Sequence, residues 1–177
     1  DILISGGGVA GLTAAAAFGA AGFSVICVDP APPVTDDADE RADLRTTAFL
    51  QPARALLAEA GLWPRLAPHA AALEIMRIVD AGGAEPEPRV IKDFVASEIS
   101  DEPFGWNLPN WLLRREMVAR LAELPNVRFR PGTGTRSVLT RDSAALVTLT
   151  DGSQISARLL IAADGRSFTV PVLTDGD

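Results

Sequence analysis

The chain has few of the side chains from which many catalytic and metal sites are built. Its 177 residues include one cysteine, one histidine and no tyrosine. With Cys27 alone, an internal disulfide and a cysteine-ligated metal site are excluded. With His69 alone, a histidine metal site or a Ser–His triad is hard to assemble. We therefore expect a buried Cys27, an uninvolved His69 and no metal centre.

Long apolar runs and positive charge are also scarce. No stretch of the sequence approaches the roughly 18 uninterrupted apolar residues that a membrane-spanning helix needs. Sixteen basic residues against 23 acidic ones give a net charge of −7, which argues against a nucleic-acid partner. The apolar fraction of 47% and the charged fraction of 22% are those of an ordinary globular domain.

A glycine motif follows the first short apolar run and opens an alanine-rich stretch. The spacing Gly6-x-Gly8-x-x-Gly11 in this context is typical of a dinucleotide-binding βαβ unit. In such a unit Gly6 permits a tight turn, Gly8 lets the backbone approach a pyrophosphate, and Gly11 lets the helix pack closely. The start of the helix, with Val9 and Ala10, would offer N–H groups and partial positive charge to phosphates.

A second apolar run and an acidic residue complete this unit. Residues 24–28 predict a buried parallel strand. Asp29 ends that strand, where an acid should hold the two ribose hydroxyls of an adenosine. The four residues after it include no basic group to meet a 2′-phosphate. The alternative interpretation is a glycine-rich turn that binds nothing.

The rest of the chain alternates between helical and strand patterns. The predicted elements are a loop over 30–46, a helix over 48–60, a strand over 73–79 with a turn at Gly82-Gly83, strand candidates at 90–95 and 104–108, a helix over 112–124, a strand over 126–130, a hairpin around Asp151-Gly152, and an apolar strand over 158–163. This order predicts an α/β fold, a Rossmann-like domain whose parallel βαβ sheet carries an added antiparallel hairpin layer.

The last apolar strand ends in a second candidate motif, Asp164-Gly165. Ligands of open α/β sheets bind at the carboxyl ends of the strands, so this motif should lie over the same crevice as the glycine motif. An aspartate there can accept hydrogen bonds from a hydroxylated chain such as ribityl. A simple turn after a strand is the alternative.

Together these motifs resemble the FAD-dependent aromatic-ring monooxygenases, and within them the ubiquinone-biosynthesis hydroxylases. The resemblance covers nearly all of residues 1–168. It rests on the glycine motif with Asp29, on Asp43-Leu44-Arg45-Thr46-Thr47-Ala48, on Arg114-Arg115-Glu116-Met117 and on Ala163-Asp164-Gly165. The Asp-x-Arg-x-x-Ala segment, followed by a helix and Gly61-Leu62-Trp63, points to the ubiquinone branch.

The resemblance implies a role in FAD binding for each motif. The glycines would cradle the pyrophosphate, and Asp29 would hold the adenosine ribose. Arg45 would reach the flavin nucleotide from the loop before the second helix. From the residues alone, however, a surface salt bridge is the favoured interpretation of both Arg45 and Arg114.

Two further positions follow from the same resemblance. Arg114 would lie near FAD at the start of a helix, with Met117 where the family has leucine. Asp164 and Gly165 match a family motif near the pyrophosphate and the NAD(P)H groove. No residue of this chain is assigned as catalytic.

The implied enzyme would use FAD, NAD(P)H and O2 to hydroxylate an aromatic ring, such as a polyprenyl phenol precursor of ubiquinone. The implied location is the cytoplasm, and peripheral association with the inner membrane or with a biosynthetic complex stays open, as does the oligomeric state. Two alternatives remain: an NAD-dependent dehydrogenase, and a non-catalytic nucleotide-binding module.

The resemblance also divides the chain. Residues 1–72 would form the first part of the FAD-binding domain, 73–109 the start of a substrate domain or connecting strands, and 110–177 the second part of the FAD-binding domain. Residues 169–177 depart from the family, and Gly176-Asp177 is not equated with its second Gly-Asp motif. Because the chain begins without methionine and lacks that motif, we expect an inactive portion of a larger two-domain flavoprotein.

Overall fold

The computed structural model describes residues 1–82, 87–165 and 172–173. The helices in these ranges are α1 (Val9–Ala20), α2 (Gln51–Glu59), α3 (Trp63–Leu66) and α4 (Asn110–Ala122). The strands are β1 (Ile2–Ser5), β2 (Val25–Asp29), β3 (Thr46–Leu50), β4 (Ala71–Leu73), β5 (Ile75–Ala81), β6 (Pro88–Val95), β7 (Gly105–Pro109), β8 (Val127–Pro131), β9 (Thr135–Thr140), β10 (Ala145–Leu149), β11 (Gln154–Ala157), β12 (Leu159–Ala162) and β13 (Val172–Leu173). None of the helices just named is long and apolar enough to cross a bilayer.

Four strands form a parallel sheet in the order β12–β1–β2–β8. Every residue of the inner strand β1 is buried, as expected for a parallel strand covered on both faces. Ser5, the last residue of β1, lies beside Val28 of β2 and Ala162 of β12. The ends of these three strands therefore meet along one side of the sheet, which we call the carboxyl edge.

One face of the parallel sheet is covered by helices. α1 and α4 pack side by side, and each runs antiparallel to the strands, so both helices begin at the carboxyl edge. Ile2 and Ile4 of β1 point into this layer. Fully buried side chains of the same core include Leu12, Ala15, Ala16, Cys27, Leu62, Leu66, Leu113 and Met117.

The opposite face is covered by an antiparallel sheet of β11, β10 and β9, with β13 parallel to β9. Leu3 and Val28 of the parallel sheet point into this second core and pack with Val147 and Leu149. Successive residues of a strand face opposite sides, so β1 serves both cores. The expected Rossmann-like fold with an added antiparallel layer is confirmed.

The predicted helix over 48–60 begins too early. Residues 46–50 form β3, which pairs with β7 so that Phe49 lies beside Trp106. The helix α2 begins only at Gln51, with Pro52 in its first turn. The helical spacing of Phe49 and Ala53 was misleading, because pairing with a distant strand overrides the local pattern.

The segment between α3 and α4 contains more strand than its weak periodicity suggests. The predicted strand over 73–79 is divided into β4 and β5 at Glu74, whose carbonyl accepts a hydrogen bond from the Ala96 N–H at 2.8 Å. The candidates at 90–95 and 104–108 are confirmed as β6 and β7. β3, β7 and β4 form one antiparallel sheet, whereas β5 and β6 form a separate two-stranded hairpin.

The later elements follow their sequence patterns closely. The predicted helix over 112–124 and strands over 126–130 and 158–163 are confirmed as α4, β8 and β12, and the predicted hairpin as β10–β11. Gly83 of the predicted turn, and residues 169–171 and 174–177 of the C-terminal segment, lie outside the described residues.

The layered packing can be tested with two leucines of β10. Leu149→Ala should lower the free energy of unfolding by about 2–5 kcal/mol, because it leaves a cavity between the two sheets. Leu146 is 39% exposed, so Leu146→Ala is the control and should cost about 1 kcal/mol or less. Chemical denaturation measures both, and equal losses would contradict the two-sheet core.

Candidate functional site

The motifs identified in the sequence meet at the carboxyl edge. The glycine motif follows β1, Asp29 ends β2, and Asp164 lies just after β12. A Cβ atom built on Gly6 would lie 2.3 Å from the carbonyl oxygen of Ala163 and 2.7 Å from the amide nitrogen of Asp164. Motifs from opposite ends of the chain are therefore in direct backbone contact.

Close backbone packing explains two of the glycines. Gly6 has a φ of 114°, which disfavours any side chain, and it donates its N–H to the carbonyl of Val28 at 2.8 Å. A Cβ atom on Gly11 would lie 1.8 Å from the carbonyl oxygen of Gly6. No side chain fits there, so glycine lets α1 rest directly on the end of β1.

Gly8 differs, because it faces open space. Its φ of −74° is accessible to any residue, and a Cβ atom there would meet nothing within 4 Å. Gly8 is the N-cap of α1, which has no side-chain cap. The first N–H groups of the helix, on Val9, Ala10 and Gly11, have no partner within it, and the helix dipole adds partial positive charge. This helix start is therefore suited to a phosphate group.

Asp29 shapes the glycine turn. Its Oδ2 accepts a hydrogen bond from the Gly7 N–H at 2.6 Å, and its Oδ1 accepts one from the Ala31 N–H at 2.8 Å. Each carboxylate oxygen can accept a further bond, so contact with ribose hydroxyls stays a prediction. The sequence pattern gave no indication of the bond to Gly7.

Asp164 belongs to a chain of polar side chains that the sequence motifs did not include. The buried hydroxyl of Ser5 donates to Asp164 Oδ1 at 2.9 Å and lies 2.7 Å from Thr135 Oγ1. Asp164 Oδ2 is also buried and has no hydrogen-bond partner among the residues that the structure describes. Burying such an oxygen is costly, so a ligand hydroxyl is well suited to it. In the sequence, the one indication of this polar chain is that a polar residue, Ser5, ends an apolar strand.

Arg45 and Arg114 are brought together at the carboxylate of Asp43. Arg45 forms a two-point ion pair, with Nε 2.8 Å from Oδ1 and Nη2 2.8 Å from Oδ2. Arg114 Nη2 lies 3.8 Å from the same Oδ2. The salt-bridge interpretation is therefore correct for both arginines, although the Arg45 side chain is still 85% exposed and can meet a ligand.

The packing of α1 against α4 indicates the position of Arg114 along the helix axis, relative to the start of α1. Thr13 Oγ1 of α1 lies 3.9 Å from Met117 Sδ of α4. The two helices run in the same direction, and Arg114 and Ala10 each lie three residues before one of these contact residues. Arg114 is therefore near the level of the first turn of α1, at the carboxyl edge.

The remaining residues singled out in the sequence are Cys27, which is buried as expected, and His69. Cys27 is buried, and that burial, followed by the charges of Asp29 and Asp164, raises the pKa of its thiol to about 12. His69 ends a short 3-10 turn between α3 and β4. Within residues 1–82 and 87–165, no group of three or more His, Cys, Asp or Glu side chains could hold a metal ion.

Comparisons with a family profile and with individual proteins point to the same class of protein. The sequence profile of the family described as "FAD binding domain" matches residues 1–171. Ubiquinone hydroxylase UbiL of Rhodospirillum rubrum is 32% identical over 171 residues, which are 96% of this chain and 38% of that protein. Ubiquinone hydroxylase UbiM of Neisseria meningitidis is 30% identical over 178 residues, covering 94% of this chain and 36% of that protein.

A solved structure shows the same fold. The p-nitrophenol 4-monooxygenase PnpA of Pseudomonas putida superimposes with a TM-score of 0.72 at 23% identity, over 93% of this chain and 40% of that one. The chain thus spans well under half the length of these relatives.

The glycine geometry predicts a large loss of stability for one alanine substitution and a small effect for another. Gly11→Ala should lower the free energy of unfolding by about 1–3 kcal/mol or more, because the new methyl group collides with the Gly6 carbonyl. Gly8→Ala is the control and should cost about 1 kcal/mol or less, because its methyl group enters open space and only the preference of the N-cap for glycine over alanine is lost. Thermal and chemical unfolding measure both, and a neutral Gly11→Ala would contradict the close contact.

Proposed function

The chain belongs to the FAD-binding domain family, and from that premise we propose that it is the FAD-binding part of a monooxygenase that hydroxylates an aromatic ring. One observation carries the assignment of the site. Across the sheet, the order β2, β1, β12 places Asp29, the uncapped start of α1 and Asp164 in a row. FAD has the same order of groups: adenosine ribose, diphosphate and ribityl chain.

The residues at the carboxyl edge fit this cofactor. The N–H groups at the start of α1, from Gly8 to Gly11, would bind the diphosphate, and the open space at Gly8 leaves room for it. Gly6 and Gly11 would act indirectly, because they allow the tight turn that directs the start of α1 towards the diphosphate. Arg45 and Arg114 would supply positive charge at the same level.

The two acids at either end of the row would bind hydroxyl groups. Asp29 would accept bonds from the adenosine ribose with the lone pairs that Gly7 and Ala31 leave free. The Oδ2 of Asp164, which has no hydrogen-bond partner in the described part of the chain, would accept a bond from the ribityl chain. Gly165, with a φ of 75°, turns the chain directly after it, beside the groove proposed for NAD(P)H.

When bound, FAD would supply the transfer of electrons from NAD(P)H and the activation of O2. The described residues would bind the cofactor and orient it. The ring substrate would be a polyprenyl phenol precursor of ubiquinone, a proposal that the names of the two ubiquinone hydroxylases support. Such a substrate suits a cytoplasmic protein at the periphery of the inner membrane.

The hairpin β5–β6 supports the proposal that residues 73–109 begin a substrate domain. Apolar side chains lie on both of its faces and are 45–59% exposed, namely Ile75, Met76, Ile78, Val79, Val90 and Ile91. A two-stranded hairpin with both faces exposed is marginally stable on its own, and apolar patches of this kind are typical of interfaces. We propose that further strands cover it in the longer enzyme.

FAD binding can be tested directly by absorption spectroscopy and titration. The chain should bind FAD, and Gly8→Val should abolish retention, because its branched side chain occupies the space of the diphosphate. Ala21→Val, at the opposite end of the same helix, is the control and should retain binding. A colourless wild-type protein that binds NAD instead would overturn the proposal, and FAD retained in full by Gly8→Val would contradict the assigned diphosphate position.

Asp29 gives a second test on the adenosine side. Asp29→Ala should weaken FAD binding about tenfold or more, because hydrogen bonds to a charged group contribute about 1.5–3 kcal/mol each. Asp36→Ala removes an acid of the same charge that caps a turn in the next loop, and it should change the affinity less than about twofold. A change below about threefold for Asp29→Ala would show that it only shapes the turn.

A further inference from the structure

Asp43 has more partners than an ordinary surface acid. Its Oδ1 accepts bonds from the backbone N–H and Nε of Arg45, at 3.2 and 2.8 Å. Its Oδ2 accepts bonds from Arg45 Nη2 at 2.8 Å and Asn110 Nδ2 at 3.0 Å, and lies 3.8 Å from Arg114 Nη2. The Asp43 side chain is only 13% exposed.

Asn110, the first residue of α4, ties this carboxylate to the helix. Its backbone N–H donates to the carbonyl of Arg45 at 2.9 Å. Its Oδ1 accepts a bond from Thr47 Oγ1 at 2.6 Å, which orients the amide so that Nδ2 faces Asp43. The loop that carries Arg45 is thereby fixed to the start of α4, close to Arg114.

The same loop contains a close copy of the ion pair without these additional partners. Asp39 holds Arg41 through the backbone N–H at 2.9 Å, Nε at 3.0 Å and Nη2 at 2.7 Å. In the described part of the chain, no hydrogen bond of the Asp39 side chain reaches another element, and Asp39 is 30% exposed. The pKa of each carboxyl group is lowered, for Asp43 by Arg45 and then Asn110, and for Asp39 by Arg41, so both are charged at neutral pH.

We propose that Asp43 is a positioning residue for FAD binding, which fixes Arg45 and Arg114 side by side where both can face the diphosphate. This inference rests on the proposed function. An exposed arginine side chain loses much rotational freedom when it binds a ligand. Holding the guanidinium groups in place beforehand reduces that loss, and Asp43 reaches both of them with a single carboxylate.

A simple charge argument predicts the opposite effect. Asp43 is an anion in contact with two arginines that are proposed to meet an anionic diphosphate, so its removal should strengthen binding if charge alone matters. The positioning role predicts that its removal weakens binding. The sign of the change therefore separates the two explanations.

The experiment measures the Kd for FAD in the 177-residue chain. Asp43→Asn should raise the Kd about threefold to tenfold, the range expected when one long side chain must be ordered on binding. Asp39→Asn removes the same charge from the copy of the ion pair and should change the Kd less than about twofold. An unchanged or lower Kd for Asp43→Asn, in a wild-type chain that binds FAD, would overturn the inference and leave the proposed function intact.

A second background tests whether Asp43 acts through the arginine. In Arg45→Ala protein, adding Asp43→Asn should raise the Kd markedly less than it does in the wild type, because the positioned group is already absent. An equal rise in both backgrounds would show a general structural role and overturn the inference. Asp43→Glu, which keeps the charge but changes the reach, should also weaken binding, and it decides the question if Asp43→Asn does not fold. A wild-type chain that binds no FAD would overturn the proposed function together with this inference.

Discussion

A close contact between three stretches of backbone controls the arrangement of the whole carboxyl edge. The end of β1 at Gly6, the first turn of α1 at Gly11 and the residue after β12, Ala163, meet with no room for a side chain at either glycine. Because α1 rests directly on Gly6, the first N–H groups of the helix, which have no partner within it, lie at the edge of the sheet. The same contact brings Asp164 within reach of the motif, so one steric constraint arranges both the proposed anion site and its acidic neighbour.

The elements around this contact were predictable because their signals are local. The glycine spacing, the apolar β1 and the Asp-Gly turn between β10 and β11 are each contained in a few residues, and each matches the structure. The alternation of Ile2, Leu3 and Ile4 between two cores also follows from the twofold period of a strand. A strand in which polar and apolar residues do not alternate is covered on both faces. Its sheet is therefore the middle of three layers.

The relations that sequence reasoning missed all depend on distant parts of the chain. Residues 48–50 of β3 fit the predicted helix, because only pairing with β7 makes them part of a strand. Asn110 carries no local pattern, yet it fixes both Asp43 and Arg45. The partners of Ser5 lie on β9 and after β12. A residue type at one position cannot indicate which side chain another element will bring to it.

The distribution of charge at the carboxyl edge would allow an acidic protein to receive the proposed anionic ligand. The net charge of −7 acts weakly over distance, because charges more than about 8–10 Å apart are largely screened at physiological ionic strength. The charged and polar groups close to the carboxyl edge therefore determine whether an anion is attracted or repelled there. Each acid at the edge is engaged: Asp29 by two backbone N–H groups, Asp43 by guanidinium groups, and Asp164 by the Ser5 hydroxyl.

These acids differ in whether their partners are positively charged or neutral. That difference would orient the proposed ligand. Asp43 is neutralised by Arg45, and Arg114 adds positive charge beside it, so a phosphate is tolerated there. Among the residues that the structure describes, Asp164 accepts a hydrogen bond from the Ser5 hydroxyl and its Oδ2 has no partner, so a sugar hydroxyl would suit that oxygen better than a phosphate. In the proposed function, the diphosphate would therefore lie at the start of α1 and near the arginines, and the ribityl chain would extend towards β12.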